Sequence, residues 1–382
     1  MYPLDEKFYS AALRAKAGEF IACLDLNDPS KKRLLPDFIL PPLAAQENSA
    51  LSIDGVIDVQ IGKISAHWGS RPCLLDTRFL RFDPDGGVDA SRISQLLARA
   101  RLSRCRIIPV VELTADFYRV ASAGAHARLA NSGAAIRVTL SDLNNLELKQ
   151  LIDTQLTNLG VPSNECLIVL DLSDADLSEP EEFTKFVSDW LFKLREFGVW
   201  PRIILQATNY PRINPAPANG HKSVPRAEWL IWQRILQLDP KIADFVMFGD
   251  FGADNAHMDF ASGGRAITHL RYATDTDWLV VRGEPKRETI RSVAHRIVKS
   301  GSYSGELFSA GDEFIASRAR GLAGVGNPMI WRSVNMNHHM TLVTANLGTL
   351  YGTPVPQAAQ RRKPVQEELF VHSMGQTIPV AE

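Results

Sequence analysis

The sequence predicts an α/β protein: a (β/α)8, TIM-like barrel with a C-terminal helical extension. Three observations carry that expectation. Eight short apolar runs recur along the chain, they are continuous rather than alternating, and the segments between them are long enough to hold a helix each. Continuous Val/Ile/Leu runs suit strands buried on both faces, as in parallel sheet, and parallel neighbours need such crossovers. Most runs end in a charged or amide residue. On a barrel those residues gather around the C-terminal rim, where barrel enzymes keep their chemistry.

Taken in order, residues 5–22 read as an opening helix, punctuated by Phe8, Ala12, Phe20 and Ile21. LLPDFILPP, from Leu34, is expected as the first barrel strand. CLLDTRF from Cys73, RIIPVVEL from Arg106, AIRVTLSD from Ala135 and CLIVLDLSD from Cys166 follow. RIILQATN from Arg202, DFVMFGD from Asp244 and AITHLRY from Ala266 complete the eight. Helices are expected at 51–64, where Ile53, Val56, Ile57 and Ile64 share a face, at 89–104, at 117–131 and before Gly160. EPEEFTKFVSDWLFKLREF, at 179–197, opens with acids and closes at Gly198, as the helix dipole and a C-terminal glycine favour. Residues 209–226 carry four prolines among few apolar residues, so a rim loop is expected there, then a helix over 227–238. A second rim loop is expected at 254–265, and DWLVVRG is expected to pair with the eighth run as a hairpin. The remainder reads as a helix at 287–300 and a helical segment from near Asp312. This divides the chain into a barrel over 1–300, a packed extension over 301–350 and a weakly ordered tail over 351–382.

Bulk composition narrows the partners. The chain has 382 residues, enough for one barrel of about 250 residues with additions. A net charge of −1 gives no global field to attract nucleic acid or an anionic membrane, and neither is expected as a partner. No apolar run reaches the roughly 20 residues that span a bilayer, and the charged N-terminal stretch has no signal-peptide core, so the expected location is cytoplasmic. Cys23, Cys73, Cys105 and Cys166 form no CxxC pair and read as buried, reduced thiols. Trp68, Trp200, Trp229, Trp232, Trp278 and Trp331 are scattered without basic interleaving, which suits packing better than base stacking.

The rim candidates are Asp76, Glu112, Arg137, Asp171, Asn209, Asp250, Arg271 and Tyr272. Asp76, Glu112, Asp171 and Asp250 come from four separate runs and are expected to hold a divalent metal, Mg²⁺ or Mn²⁺, or to move protons, with Tyr272 beside them as a further catalytic group. Arg137, Arg226 and Arg271 are expected to grip an anion. The same residues equally suit a structural ion-pair network across the barrel mouth. Lys16 and Glu19 are expected to pair at the barrel bottom. His338 and His339 are adjacent and point differently, so surface or packing roles are the expectation for both rather than a shared metal. GDFG at 249–252 lacks the glycine-rich loop and catalytic loop of a kinase, and its glycines read as permitting a sharp turn. GGR at 263–265 is a weak anion-turn signal. No GxSxG, HExxH, Walker or dinucleotide motif is present.

Six motifs, in order, resemble the phage "beta protein" family of phages, satellite phages and bacterial defence islands. They are Lys16-Ala17-Gly18-Glu19, Trp68-Gly69 before RPCLLD, and Arg226-Ala227-Glu228-Trp229 after the proline loop. Gly249-Asp250-Phe251-Gly252, Arg271-Tyr272 with Trp278, and Trp331-Arg332 through Asn337-His338-His339 complete the set. Phe251 stands where the family box has Tyr, and Leu40-Pro41-Pro42 stands where relatives often carry an acid. The resemblance implies a role in phage–host conflict: a defence, toxin–antitoxin or immunity component acting on a protein partner from the same operon. It implies no reaction. The alternative is a hydrolase- or phosphodiesterase-like barrel enzyme acting on a phosphorylated or nucleotide-like small molecule at the rim.

Overall fold

In the computed structural model, the described residues are 1–45, 51–80, 90–257, 260, 267–284, 290–322, 324 and 326–356. The GGR turn and the tail beyond residue 356 lie outside them. Eight parallel strands close into a barrel. They are β1 (Tyr9–Arg14), β2 (Asp37–Ile39), β3 (Pro72–Asp76), β4 (Arg106–Glu112), β5 (Ala134–Thr139), β6 (Cys166–Asp171) and β7 (Ile203–Gln206). After β8 (His221–Pro225), which belongs to a second sheet, β9 (Val246–Asp250) completes the cylinder. Closure is made by β1, whose Ala11 pairs with Asp250 and whose Ala12 pairs with Asp37. The helices between the strands are α1 (Ala17–Leu24), α2 (Asp28–Arg33), α3 (Ile53–Trp68), α4 (Ala90–Leu102), α5 (Phe117–Ala130), α6 (Leu148–Leu159), α7 (Pro180–Phe197) and α8 (Ala227–Leu238).

Two expectations change. The opening helix over 5–22 is instead strand β1 followed by α1. YSAALR has no Val/Ile run and favours a helix locally, but its six residues are all buried, and pairing on both sides overrides propensity. The eighth run is not a barrel strand. His269–Ala273 forms β10, antiparallel to β11 (Asp277–Arg282), and β11 pairs in turn with β8. The hairpin with DWLVVRG is therefore present, and β8 is drawn from the end of the proline-rich loop, with Pro225 as its last residue.

The C-terminal region supplies α9 (Ile290–Lys299), α10 (Ala310–Ala319) and α11 (Pro328–Leu350). These cover the second sheet and make their own core of Leu270, Tyr272, Ile297, Phe314, Trp331 and Val334. That core draws on β10 and β11 as well as on residues beyond 300. Helix α11 is capped by Asn327, whose Oδ1 accepts from the Ile330 amide at 3.0 Å, and it packs on α1, α10 and β10. At Gly311 an added Cβ would lie 2.6 Å from the Val334 carbonyl oxygen, so only glycine lets α10 sit this close to α11. All four cysteines are buried and free. Among the described residues no helix is long and apolar enough to cross a membrane.

The barrel interior is filled by Leu35, Leu74, Val110, Ala135, Val169 and Met247, with neighbours of the same phase. Because side chains alternate along a strand, this layer fixes which rim residues face inward. Asp37, Asp76, Arg137 and Asp171 are in phase with it. Asp250 is in phase with Phe248, which packs outward against Trp229 and Trp232, so Asp250 faces the surrounding layer.

On the outside, α5 crosses α6 so closely that a Cβ at Gly124 would collide with the Leu159 carbonyl oxygen, backbone that has no freedom to retreat. Gly124→Ala should therefore destabilise the chain by about 1–3 kcal/mol, measured by urea denaturation, while Gly62→Ala, where the added carbon meets nothing within 4 Å, should not.

Candidate functional site

Arg137 sits at the barrel centre, and its side chain is 1% exposed. Its Nη1 donates to Asp171 Oδ2 at 2.7 Å and to Gln206 Oε1 at 2.8 Å. Its Nη2 donates to Asp37 Oδ2 and Asp76 Oδ2, both at 2.8 Å. Five strands thus meet on one guanidinium. Arg78, just beyond β3, adds a second: its Nη1 donates to Asp171 Oδ2 at 3.0 Å, and its Nε lies 3.5 Å from Asp76 Oδ2. Burial opposes the Arg137 charge, but Asp76, Asp171 and Asp37 hold its pKa above the ordinary value. Burial likewise opposes ionisation of Asp171, yet Arg137 and Arg78 hold its carboxyl below the usual range. Asp37 goes the other way. Burial, with Asp76 adding repulsion, pushes it up to about 6 against the pull of Arg137, and its Oδ1 has no hydrogen-bond partner.

Above this network Phe79 and Phe260 meet edge to face, centroids 5.2 Å apart, and close over Ala12, Ile39 and Phe251. The acids expected to bind Mg²⁺ or Mn²⁺ do not fit that role. Asp76 and Asp171 converge, joined by Asp37, but the point of convergence is already filled by a guanidinium, and Asp250 faces away. Among the described residues no group of three or more His, Cys, Asp or Glu side chains is arranged to hold a metal. Glu112 faces inward, in register with Arg137, is partly exposed, and its carboxylate makes no hydrogen bond or ion pair with any described residue.

Asp250 anchors a separate buried cluster between barrel and α11. Tyr9 Oη donates to its Oδ1 at 2.6 Å, the Gly252 amide donates to the same oxygen at 2.9 Å, and His339 Nε2 lies 2.7 Å from Oδ2. The His339 ring stacks on Trp278 at 4.6 Å, and burial depresses its pKa despite Asp250. Beside it Arg226 is fully buried, 5.7 Å from the rings of both Trp229 and Trp278, and donates to the Thr274 carbonyl at 2.9 Å. Glu228, 3.8 Å from Arg226, is pushed up to about 7 by burial and accepts from the Asn209 amide. Arg226 is therefore an internal cation of this cluster, not an anion grip.

Tyr272 belongs to a third cluster. Its hydroxyl donates to Asp312 Oδ1 at 2.7 Å, and its ring stacks on His338 at 3.9 Å. His338 is held between Asp312 Oδ2 and the Ala273 carbonyl, each at 2.8 Å. The two histidines do point apart, and both are buried rather than superficial. This places Tyr272 and Arg271 on the second sheet, away from the Arg137 network.

Arg271 joins a fourth cluster, around Asp254. Arg271 Nη1 and Arg332 Nη1 donate to its carboxylate at 2.7 and 2.8 Å, and Arg14 Nη2 lies at 3.3 Å. Burial opposes ionisation there, but Arg271, Arg14 and Arg332 hold the acid well below the ordinary range. Arg332 also reaches Glu19 Oε1 at 3.1 Å. Glu19 accordingly pairs with α11 at the rim end of β1, and not with Lys16 at the barrel bottom. Asp37, Asp254 and Arg332 were not among the sequence candidates. Asp37 had a signal: it is an acid embedded in the apolar run LLPDFIL, which a buried strand tolerates only with a partner.

The sequence model of the Beta protein family matches residues 9–345. No curated protein matches the chain. Among solved structures, a 2,3-dimethylmalate lyase of the PEP mutase/isocitrate lyase superfamily is 13% identical, with 64% of this chain and 76% of that one covered and a TM-score of 0.35. The tryptophan synthase A-subunit from Pyrococcus furiosus is 13% identical, with 64% and 87% covered and a TM-score of 0.37. A triosephosphate isomerase from Bartonella henselae is 12% identical, with 63% and 91% covered and a TM-score of 0.31.

Replacing Arg137 by Met would leave three buried carboxylates without their shared cation, and equilibrium denaturation should register a loss on the order of 3–5 kcal/mol. Asp37 gives a signed pH effect. The folded chain holds a proton here that the unfolded chain releases, so the stability contributed by this group is complete below about pH 4 and is lost as pH rises through about 6. Asp37→Asn removes that loss. Its stability relative to the wild type should improve between pH 4 and pH 7, as read from paired urea titrations.

Proposed function

The chain belongs to the Beta protein family over residues 9–345, and from that premise we propose that it is a component of a phage-defence or toxin–antitoxin immunity module, acting through contact with a protein encoded nearby. What supports contact rather than turnover is the barrel mouth. Its inward acids Asp37, Asp76 and Asp171 are consumed by Arg137 and Arg78, and an aromatic pair lies over them, which is the arrangement of a braced scaffold. A barrel enzyme instead keeps acids free to meet substrate.

The second reading, a hydrolase- or phosphodiesterase-like activity on a phosphorylated or nucleotide-like molecule, draws on Glu112. That partly exposed rim carboxylate has no partner among the described residues. It is the residue on which the two readings part.

Under the contact reading, Glu112→Gln should leave phage plating efficiency unchanged in cells expressing the whole module. It should also co-elute with the neighbour-encoded protein on size exclusion as the wild type does. Loss of protection by this variant, with an unchanged melting temperature and an unchanged complex, would shift the assignment to chemistry at the rim. Failure of the wild-type chain to form any complex with that neighbour would remove the contact reading itself.

A further inference from the structure

An open cavity of about 560 Å³ lies at the N-terminal end of the barrel, opposite the rim. Pro72 and Arg106, the first residues of β3 and β4, line it together with Lys7, which stands two residues ahead of β1. The volume is within the range of small-molecule sites. Five cations face it: Lys7, Lys31, Lys32, Arg71 and Arg106. Its carboxylates are Asp5, Glu6 and Asp28, and all three are exposed.

Two of the cations are set deep. Lys7 and Lys31 are each 8% exposed. Lys7 Nζ donates to the Leu34 carbonyl at 2.7 Å and to the Lys31 carbonyl at 2.9 Å, and Lys31 Nζ donates to the Leu24 carbonyl at 2.8 Å. These carbonyls belong to the ends of α2 and α1, where the helix dipole favours a cation. That attraction does not offset burial. Desolvation, with repulsion from Arg71 and Arg106, pushes the Lys7 amine down to about 8. Burial and then Arg71 lower Lys31 as well. An ammonium group has three donors, and the third of Lys7 has no acceptor among the described residues.

Aromatic rings position the guanidiniums. Arg71 lies 5.9 Å from the ring of Trp68 and donates to the Trp68 carbonyl at 3.3 Å. Trp68 is buried, and its Nε1 donates to the Pro72 carbonyl at 3.0 Å. Gly69 has a φ of 71°, which favours glycine, and it turns the chain from α3 into β3 so that Arg71 reaches the cavity. The Trp68-Gly69 motif thus sets where Arg71 stands. Arg106 lies 4.3 Å from the Tyr2 ring.

Charge is not balanced among these groups. Lys32 holds Glu6 at 2.6 Å and Arg71 holds Asp28 at 3.3 Å. Among the described residues no carboxylate lies within ion-pair distance of Lys7, Lys31 or Arg106. The five lining cations exceed the three lining carboxylates by two.

We propose that this cavity is a binding site for a diphosphate group. The anion takes the guanidiniums of Arg106 and Arg71 and supplies Lys7 with the opposite charge that no carboxylate provides. Two excess charges, in a space well beyond one phosphate, suit two linked phosphates better than one. The groups are already held by rings and carbonyls, so little freedom is lost on binding. The site shares no residue with the Arg137 network and does not rest on how a partner protein is recognised. At this end of a barrel a bound anion stabilises or regulates rather than reacts.

Calorimetry and thermal shift on the full chain test this with inorganic pyrophosphate, adenosine 5′-diphosphate and adenosine. Both diphosphates should bind, raise the melting temperature and lose affinity as salt is added, and adenosine should not bind. Tighter binding of pyrophosphate assigns the site to the free anion, and tighter binding of the nucleotide assigns it to a larger diphosphate. Arg106→Gln removes a guanidinium that meets no described acid, so it should reduce affinity by about tenfold or more at an unchanged melting temperature. Lys185→Gln removes the same charge from an exposed position on α7 outside the cavity and should leave affinity unchanged. No binding of either diphosphate at millimolar concentration, an Arg106→Gln protein that binds as the wild type does, or an equal loss in both variants would overturn the assignment.

Discussion

A single arginine cation inside a closed cylinder organises this molecule. Arg137 comes from β5 and is met by acceptors from β2, β3, β6 and β7, each within 2.8 Å. Removing charges from water is costly, and such a network repays that cost only when the geometry is complete. Its worth lies in specificity: a two-residue slip of any of these strands keeps the apolar phase but strands a carboxylate away from its cation. The apolar layer beneath cannot enforce this, since Leu, Val and Ala substitute for one another without much penalty. Register around the barrel is thus written in charge and filled in with hydrocarbon.

Outside the cylinder α11 has the corresponding position. Its Arg332, Asn337, His338 and His339 reach Asp254, the Ala22 carbonyl, Asp312 and Asp250 respectively. The motifs that point to the Beta protein family, although separated by hundreds of residues, nearly all collect around this helix. Lys16 through Glu19 abuts its start, Asp250 and Arg226 lie along its middle, and Tyr272 stacks on His338. Their order along the chain gives no hint of this, because what brings them together is the packing of one long helix across β1, α1 and the second sheet.

The barrel was readable from sequence because seven of its strands are Val/Ile/Leu runs, and the period of such runs reports two-sided burial. β1 was not readable: YSAALR is alanine-rich and short, and only its neighbours β2 and β9 make it a strand. β10 was misplaced in the barrel although THLRYA alternates polar and apolar residues, the pattern of a sheet with one open face. At the site, Asp76, Asp171 and Arg137 were found together because all three end or interrupt apolar runs. Asp250 was grouped with them on the same ground. What separates it is phase, and phase follows from which neighbours face the interior, a fact fixed only when the cylinder closes. Asp254 and Arg332 lie outside any apolar run, and only Arg332 carries a local mark, the Trp331-Arg332 motif.

The strand that closes the barrel is the first of the eight in chain order, yet one of its two partners, β9, is the last. Tyr9 waits for Asp250, and that pair is then covered by His339, some three hundred residues downstream. A nascent chain can stack β1 through β7 progressively, but the second edge of β1 stays unpaired until β9 has been made. Ala-rich YSAALR, a poor strand former by itself, is suited to that delay: it has little tendency to recruit a wrong edge before the right one exists.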